Sequence, residues 1–265
     1  MSQVIESTRA LNINPEKITI RSRISPPAGF SWVKEKPGSF EDYLINFPLK
    51  PEGFPVRDYK DLPISRQYNH VAILDIDVGR RDLQQCADAW MRLYSEYLWQ
   101  QNRSEEVVFQ FTSGQPMSWI DYKKGMRTTE VGDRVRFHLT AKPDASYRSF
   151  RKYLDLIFQY AGTISIDRES VPIKSNKDIK VGDYLIKPGS PGHLVFIVGI
   201  AQNRAGKRVY LLAESFMPAQ DIHILINPLN RNLSPWYELD VNAPRIITAK
   251  YVFSPPVIKR FHAIK

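Results

Sequence analysis

Residues 181–201 read VGDYLIKPGSPGHLVFIVGIA: a Gly-Asp step, a short apolar run, a Pro/Gly turn, and a second run that is nearly all apolar. Strands of this length with β-branched residues and no polar alternation are buried on both faces, which makes the second run a central strand. Asn203 to Gly206 supplies a turn, and KRVYLLAES, residues 207–215, returns beside it as a hairpin. Residues 222–226 add a short strand, followed by a Pro- and Asn-rich loop to Trp236 and Tyr237. Residues 246–253 read as a last strand, with a tail after Pro255 and Pro256.

Upstream the character is mixed. Residues 1–30 read as an irregular arm broken by Pro26 and Pro27, and Ser39 with Asp42 forms a capping box for a helix from Phe40 to about Asn46. VAILDIDV, residues 71–78, is a strand that places Asp75 and Asp77 on one face. The longest helical pattern covers residues 82–101, with Asp82 as cap and Leu83, Cys86, Trp90, Leu93, Tyr94 and Tyr97 as the apolar stripe. Strands follow at 107–111 and 134–139, then an amphipathic helix at 146–160, closed by Gly162 in the left-handed position. Mixed elements, then helices, then an antiparallel sheet define an α+β domain over residues 31–265, with residues 102–145 as an insertion.

The totals narrow the function. With 43% hydrophobic and 25% charged residues over 265 positions, the chain can build one large core and is not generally disordered. Its net charge of +9 suits anionic partners, but the basic residues are scattered and no nucleic-acid motif is present, so no nucleic-acid partner is expected. No window is apolar enough for a transmembrane helix. The five histidines have no metal-ligand spacing, and neither a phosphate-cradling GxxxxGK[ST] loop nor GxGxxG occurs, so neither metal nor cofactor is expected.

Cys86 is the single cysteine, so no intramolecular disulfide can form. A thiol near a helix start faces unpaired N–H groups that favour the thiolate, and a neighbouring imidazole can take its proton. His193 opens the central strand, and the hairpin brings Glu214 back toward it, giving a third group to orient the ring. Gln220 and His223 are alternates for that third role, and Trp119, Trp236 and Tyr237 are aromatic candidates for a substrate groove. Each has a plainer reading: Cys86 lies on the buried stripe as an inert core thiol, and the aromatics fill the core.

The order of cysteine-bearing helix, Gly-Asp strand, histidine-led strand and polar residue on the next strand resembles the papain-like hydrolases of the NlpC and CHAP type. Three segments, DVGRRDLQQCADAW, GSPGHLVFIVGIA and LLAESFMPAQDIHILINP, with SPWY after the last, resemble the bacterial domain-of-unknown-function family 4846 over residues 35–260. The first resemblance implies a papain-like fold and a cysteine amidase or peptidase acting on peptidoglycan peptides or a related amide, with Cys86, His193 and Glu214 catalytic. It also implies work in the bacterial envelope or periplasm if a leader has been removed, and otherwise in the cytoplasm. The alternative is an inactive binding module of the same fold. Two departures stand out: the Cys86–His193 gap is longer than in compact wall hydrolases, and the third residue is a charged Glu214 where a neutral group or a histidine is usual.

Overall fold

The central strand is longer than its apolar run: it spans His193–Asn203, and its first nine residues are buried. The computed structural model describes residues 13–131 and 134–264. The part of the N-terminal arm before residue 13 lies outside the described residues. In chain order the elements are α1 (Ile20–Arg23), β1 (Phe30–Trp32), α2 (Phe40–Ile45), β2 (His70–Ile73) and α3 (Cys86–Gln100). Then come β3 (Val108–Gln110), β4 (Pro116–Ser118), α4 (Trp119–Lys123), β5 (Met126–Val131), β6 (Arg134–Leu139), α5 (Tyr147–Tyr160), α6 (Thr163–Arg168) and β7 (Ser170–Pro172). The sheet half follows as β8 (Tyr184–Lys187), β9 (His193–Asn203), β10 (Arg208–Glu214), β11 (His223–Leu225), β12 (Trp236–Tyr237), β13 (Ile246–Ile247), β14 (Val252–Phe253) and β15 (Ile258–Phe261).

Among the described residues, nine strands form one antiparallel sheet with a central path β2-β11-β10-β9-β8-β15-β7; β1 pairs with the far end of β9, and β12 with β10. The domain is therefore mixed α+β around a large antiparallel sheet. The run Leu194–Ala201 of β9 is apolar because it is covered on both sides. Helix α3 lies against the sheet, with the Trp90 ring among Phe40, Tyr184 and Phe261 and its indole N–H donating to the Gly182 carbonyl at 2.9 Å. At Gly199 the Trp32 ring comes so close that an added Cβ would lie 2.7 Å from it, and Trp32 is in turn held edge-on by Trp236.

Several boundaries differ from the sequence reading, some because a tertiary partner wins. Helix α3 starts at Cys86, since the Asp82 carboxylate accepts from the Ala219 amide at 2.7 Å instead of capping a helix. The strand at 71–78 ends at Ile73, and Asp77 turns to ion-pair with Arg92 and Arg151. Gly162 is extended, with φ 175°, and precedes α6 instead of closing α5 in the left-handed region. Residues 19–23 form a helical turn with Ile20 and Ile24 in the core. Residues 246–253 are a two-strand hairpin apart from the main sheet, while the supposed tail supplies β15 between β8 and β7. No helix among the described residues is long and apolar enough to cross a membrane.

Candidate functional site

Cys86 is the first residue of α3, preceded by Gln85 in an extended conformation whose amide donates to the Asp88 carboxylate at 3.0 Å. The loop leading to it is fastened at both ends. The hydroxyl of Ser215, immediately after β10, shares its one proton between the carbonyls of Gln220 (2.7 Å) and Gln84 (3.2 Å). The fully buried Arg92 guanidinium reaches back from α3 to Gln84 Oε1, Asp77 and Glu96. The segment after Glu214 therefore also sets the start of the cysteine helix.

The Cys86 thiol is half-buried. Burial pushes it up to about 11, Asp88 adds to the rise, and the main-chain N–H groups of Ala87, Leu194 and Cys86 work against it. At neutral pH the sulfur is a thiol. Leu194 follows His193 directly, so the sulfur sits against the start of β9. Cys86 and His193 do not hydrogen-bond to each other.

His193 is buried, and its Nε2 lies 2.9 Å from Oε2 of the fully buried Glu214. The β9–β10 register, with Ala213 opposite Phe196, brings the two strand ends together. Burial alone would raise the Glu214 carboxyl, but its hydrogen bond with His193 outweighs this and holds it at about 2. It is thus a carboxylate, which only accepts, so Nε2 of His193 carries a proton and donates it to Oε2. The ring is packed by Tyr251 at 4.6 Å, Phe216 at 5.0 Å and Phe253 at 6.0 Å between centroids.

The other named residues are placed differently. His223 is buried behind Glu214: Nδ1 is 2.8 Å from the Asp221 carbonyl, and Nε2 is 3.0 Å from Lys250 Nζ and 3.6 Å from Glu214 Oε1. Gln220 is buried, with its side-chain Oε1 unpartnered. Trp119 packs into Trp99, Tyr122, Phe150 and Tyr153, and Trp236 against Trp32 with its N–H on the Ser25 carbonyl. Both are 1% exposed, so neither ring floors an open groove. Tyr237 borders a cavity of about 860 Å³ shared with Tyr210 and Leu239. That cavity lies toward the start of β10, away from Glu214.

Sequence reasoning missed Lys250 and His70. Lys250 Nζ stands 3.5 Å from Glu214 Oε1, and the His70 ring lies 5.8 Å from that of His223. Nothing local marks either residue; only the pairing of β2 with β11 and the placement of the 246–253 hairpin bring them in. Among the described residues no three His, Cys, Asp or Glu side chains converge to hold a metal ion.

Fold and site together describe an α+β domain with a thiol at a helix start beside a buried histidine–carboxylate pair. Residues 20–260 match the model of the family described as domain of unknown function (4846), and the chain belongs to that family. No curated protein and no solved structure matches it.

Proposed function

We propose that the chain is a cysteine hydrolase of papain-like architecture, an amidase or peptidase acting on cell-wall peptides or a related amide. The observation that carries this reading is the buried 2.9 Å contact between His193 and Glu214, at the strand start against which the Cys86 sulfur rests. The order of the three groups along the chain, on helix, strand and returning strand, resembles that of the NlpC- and CHAP-type enzymes and supports this reading.

In the proposed reaction the Cys86 sulfur attacks the amide carbonyl as Nδ1 of His193 takes the thiol proton. Because burial keeps the resting sulfur protonated, transfer accompanies attack instead of preceding it. Glu214 steadies the imidazolium, and N–H groups at the start of α3 receive the developing oxyanion. The C–N bond breaks as His193 returns the proton to the amine, leaving a thioester that water hydrolyses. A wall-peptide substrate would put this work in the envelope.

A second reading, an inactive binding module of the same fold, draws on the raised thiol and the missing Cys86–His193 hydrogen bond. Incubating the purified protein with peptidoglycan peptides and following new amines and shortened peptides by mass spectrometry separates the two. The enzyme reading expects cleavage that Cys86→Ala abolishes and that His193→Ala lowers by roughly 10²–10⁴-fold. Peptide binding without cleavage, equal in wild type and Cys86→Ala, selects the module.

A further inference from the structure

We propose that Lys250, carried on the turn of the 246–253 hairpin, is a positioning residue that fixes Glu214 and thereby the ring proton of His193. This rests on the hydrolase reading only for its effect on turnover. Both Glu214 oxygens are enclosed. Oε2 meets His193, but Oε1 is fully buried and accepts no hydrogen bond. A buried carboxylate oxygen without a donor needs a cation close by. The candidates are Lys250 Nζ at 3.5 Å and His223 Nε2 at 3.6 Å.

The hydrogen-bond inventory separates them. A lysine ammonium only donates, and it stands 3.0 Å from His223 Nε2, so that nitrogen is the acceptor. The His223 proton is then on Nδ1, directed at the Asp221 carbonyl 2.8 Å away. His223 is therefore neutral, and Lys250 is the cation that faces Oε1. The Asp221 carboxylate does not compete for it, being held by Lys50 Nζ at 2.8 Å and the Arg57 amide at 2.9 Å. His70, behind His223, and Tyr237, whose hydroxyl is pushed up by burial and by the Glu214 charge, are the further titratable groups near the carboxylate.

One chain of contacts thus sets two ring tautomers. The Asp221 carbonyl fixes Nδ1–H on His223, Lys250 occupies Nε2, and the same ammonium balances Glu214. Glu214 then keeps its other oxygen for Nε2–H of His193. The hairpin also supplies Tyr251 and Phe253 to the faces of the His193 ring, and Lys250 itself sits 5.5 Å above the Phe216 ring. One small element outside the main sheet therefore holds both members of the pair.

Histidine side-chain ¹⁵N NMR tests this on wild type, Lys250→Met and Lys250→Arg. Wild type at neutral pH is expected to show His223 protonated at Nδ1 alone and His193 at Nε2. Lys250→Met is expected to make His223 take a second proton in place of the lost cation, with Lys250→Arg restoring the wild-type pattern. Turnover in Lys250→Met should fall about tenfold to a hundredfold in kcat, the cost of one charge-assisted contact, with KM little changed. A wild-type spectrum with the His223 proton on Nε2 overturns the proposal without any variant, as does a folded Lys250→Met protein with wild-type ring shifts. The spectra need no turnover. A chain that cleaves nothing yet shows the expected tautomers keeps this assignment and loses the hydrolase reading; cleavage abolished in Cys86→Ala alongside unmoved rings does the reverse.

Discussion

Glu214 is a carboxylate sealed from water, and the acid stability of the protein follows from how it is held. Its folded value of about 2 lies below the ordinary carboxylate value, so its contribution is fully present above about pH 4.5 and is lost as pH falls toward 2. That contribution is on the order of 3 kcal/mol. His70 acts in a higher window. Burial lowers it to about 4, with the Lys250 charge adding to the fall, so it stays neutral in the fold while the unfolded chain takes up a proton from about pH 6.5 downward. Stability from this group is complete above pH 6.5 and declines as pH falls through 4. Urea midpoints measured from pH 7 to 2 should therefore drop in two stages. His70→Asn should flatten the first stage and Glu214→Gln the second; variants that track wild type through both windows would show that the two groups are not the cause. Cys86 gives a third residue-scale expectation: iodoacetamide labelling should keep accelerating from pH 7 to 10, because the thiol titrates near 11. A plateau near neutrality would instead mean a resting thiolate. The closeness of His193 and Glu214 was legible in the sequence because a strand start and a four-residue turn are local signals, whereas the helix of Cys86 was read as starting four residues early. Lys250 was not, since no local pattern reports where a separate hairpin docks.

Two glycines in and beside β9 show how an element can carry separate duties along its length. An added Cβ at Gly192 would lie 2.2 Å from Thr163 Oγ1, 2.7 Å from the Gly189 carbonyl oxygen and 2.8 Å from that of Lys187. Two of those are backbone atoms, so the chain entering His193 must move. At Gly199 the obstacles are the Trp32 ring at 2.7 Å and Leu211 Cδ1 at 3.1 Å, six residues beyond His193. Overpacking of this kind costs about 1–3 kcal/mol at either position. Gly192→Ala should therefore lose peptide cleavage beyond what its melting temperature explains. Gly199→Ala should change tryptophan fluorescence and lower stability while cleaving normally at temperatures where it is folded. Equal activity losses in the two variants would count against a local hold on His193. The strand itself was readable from its apolar run, yet the reason for Gly199 was not, because Trp32 reaches it from a strand far earlier in the chain by the Trp32–Ala201 pairing. The same limit explains the helix start: Asp82 looks like a cap until Ala219, distant in sequence, claims its carboxylate.

At the scale of the whole molecule the sheet is closed by its last strand. Residues after Pro256 read as a tail because the Pro-Pro step ends the preceding apolar pattern and IKRF is too short to show a period of its own. In the fold Ile258 and Phe261 are buried, and β15 joins β8 to β7, two strands that do not pair with each other and meet through the Ser170 and Tyr184 hydroxyls. Phe261 meets Trp90, Tyr94 and Phe109, so the strand also closes the core beneath the cysteine helix. Arg260 grips both oxygens of the buried Asp183, at 2.7 and 2.9 Å, tying the last strand to the Gly-Asp step that opens β8. Removing a buried side chain as large as Ile or Phe costs about 2–5 kcal/mol, and a domain's whole stability is about 5–15 kcal/mol. A chain ending at residue 255 loses both side chains, the ladder bonds on two strands and the partner of a buried carboxylate. It should therefore show no cooperative unfolding transition and no near-ultraviolet circular dichroism. Phe261→Ala should remain folded with a lowered urea midpoint. A truncated chain that melts like wild type would mean that β8 and β7 need no strand between them, and that the core under Cys86 is closed by other residues.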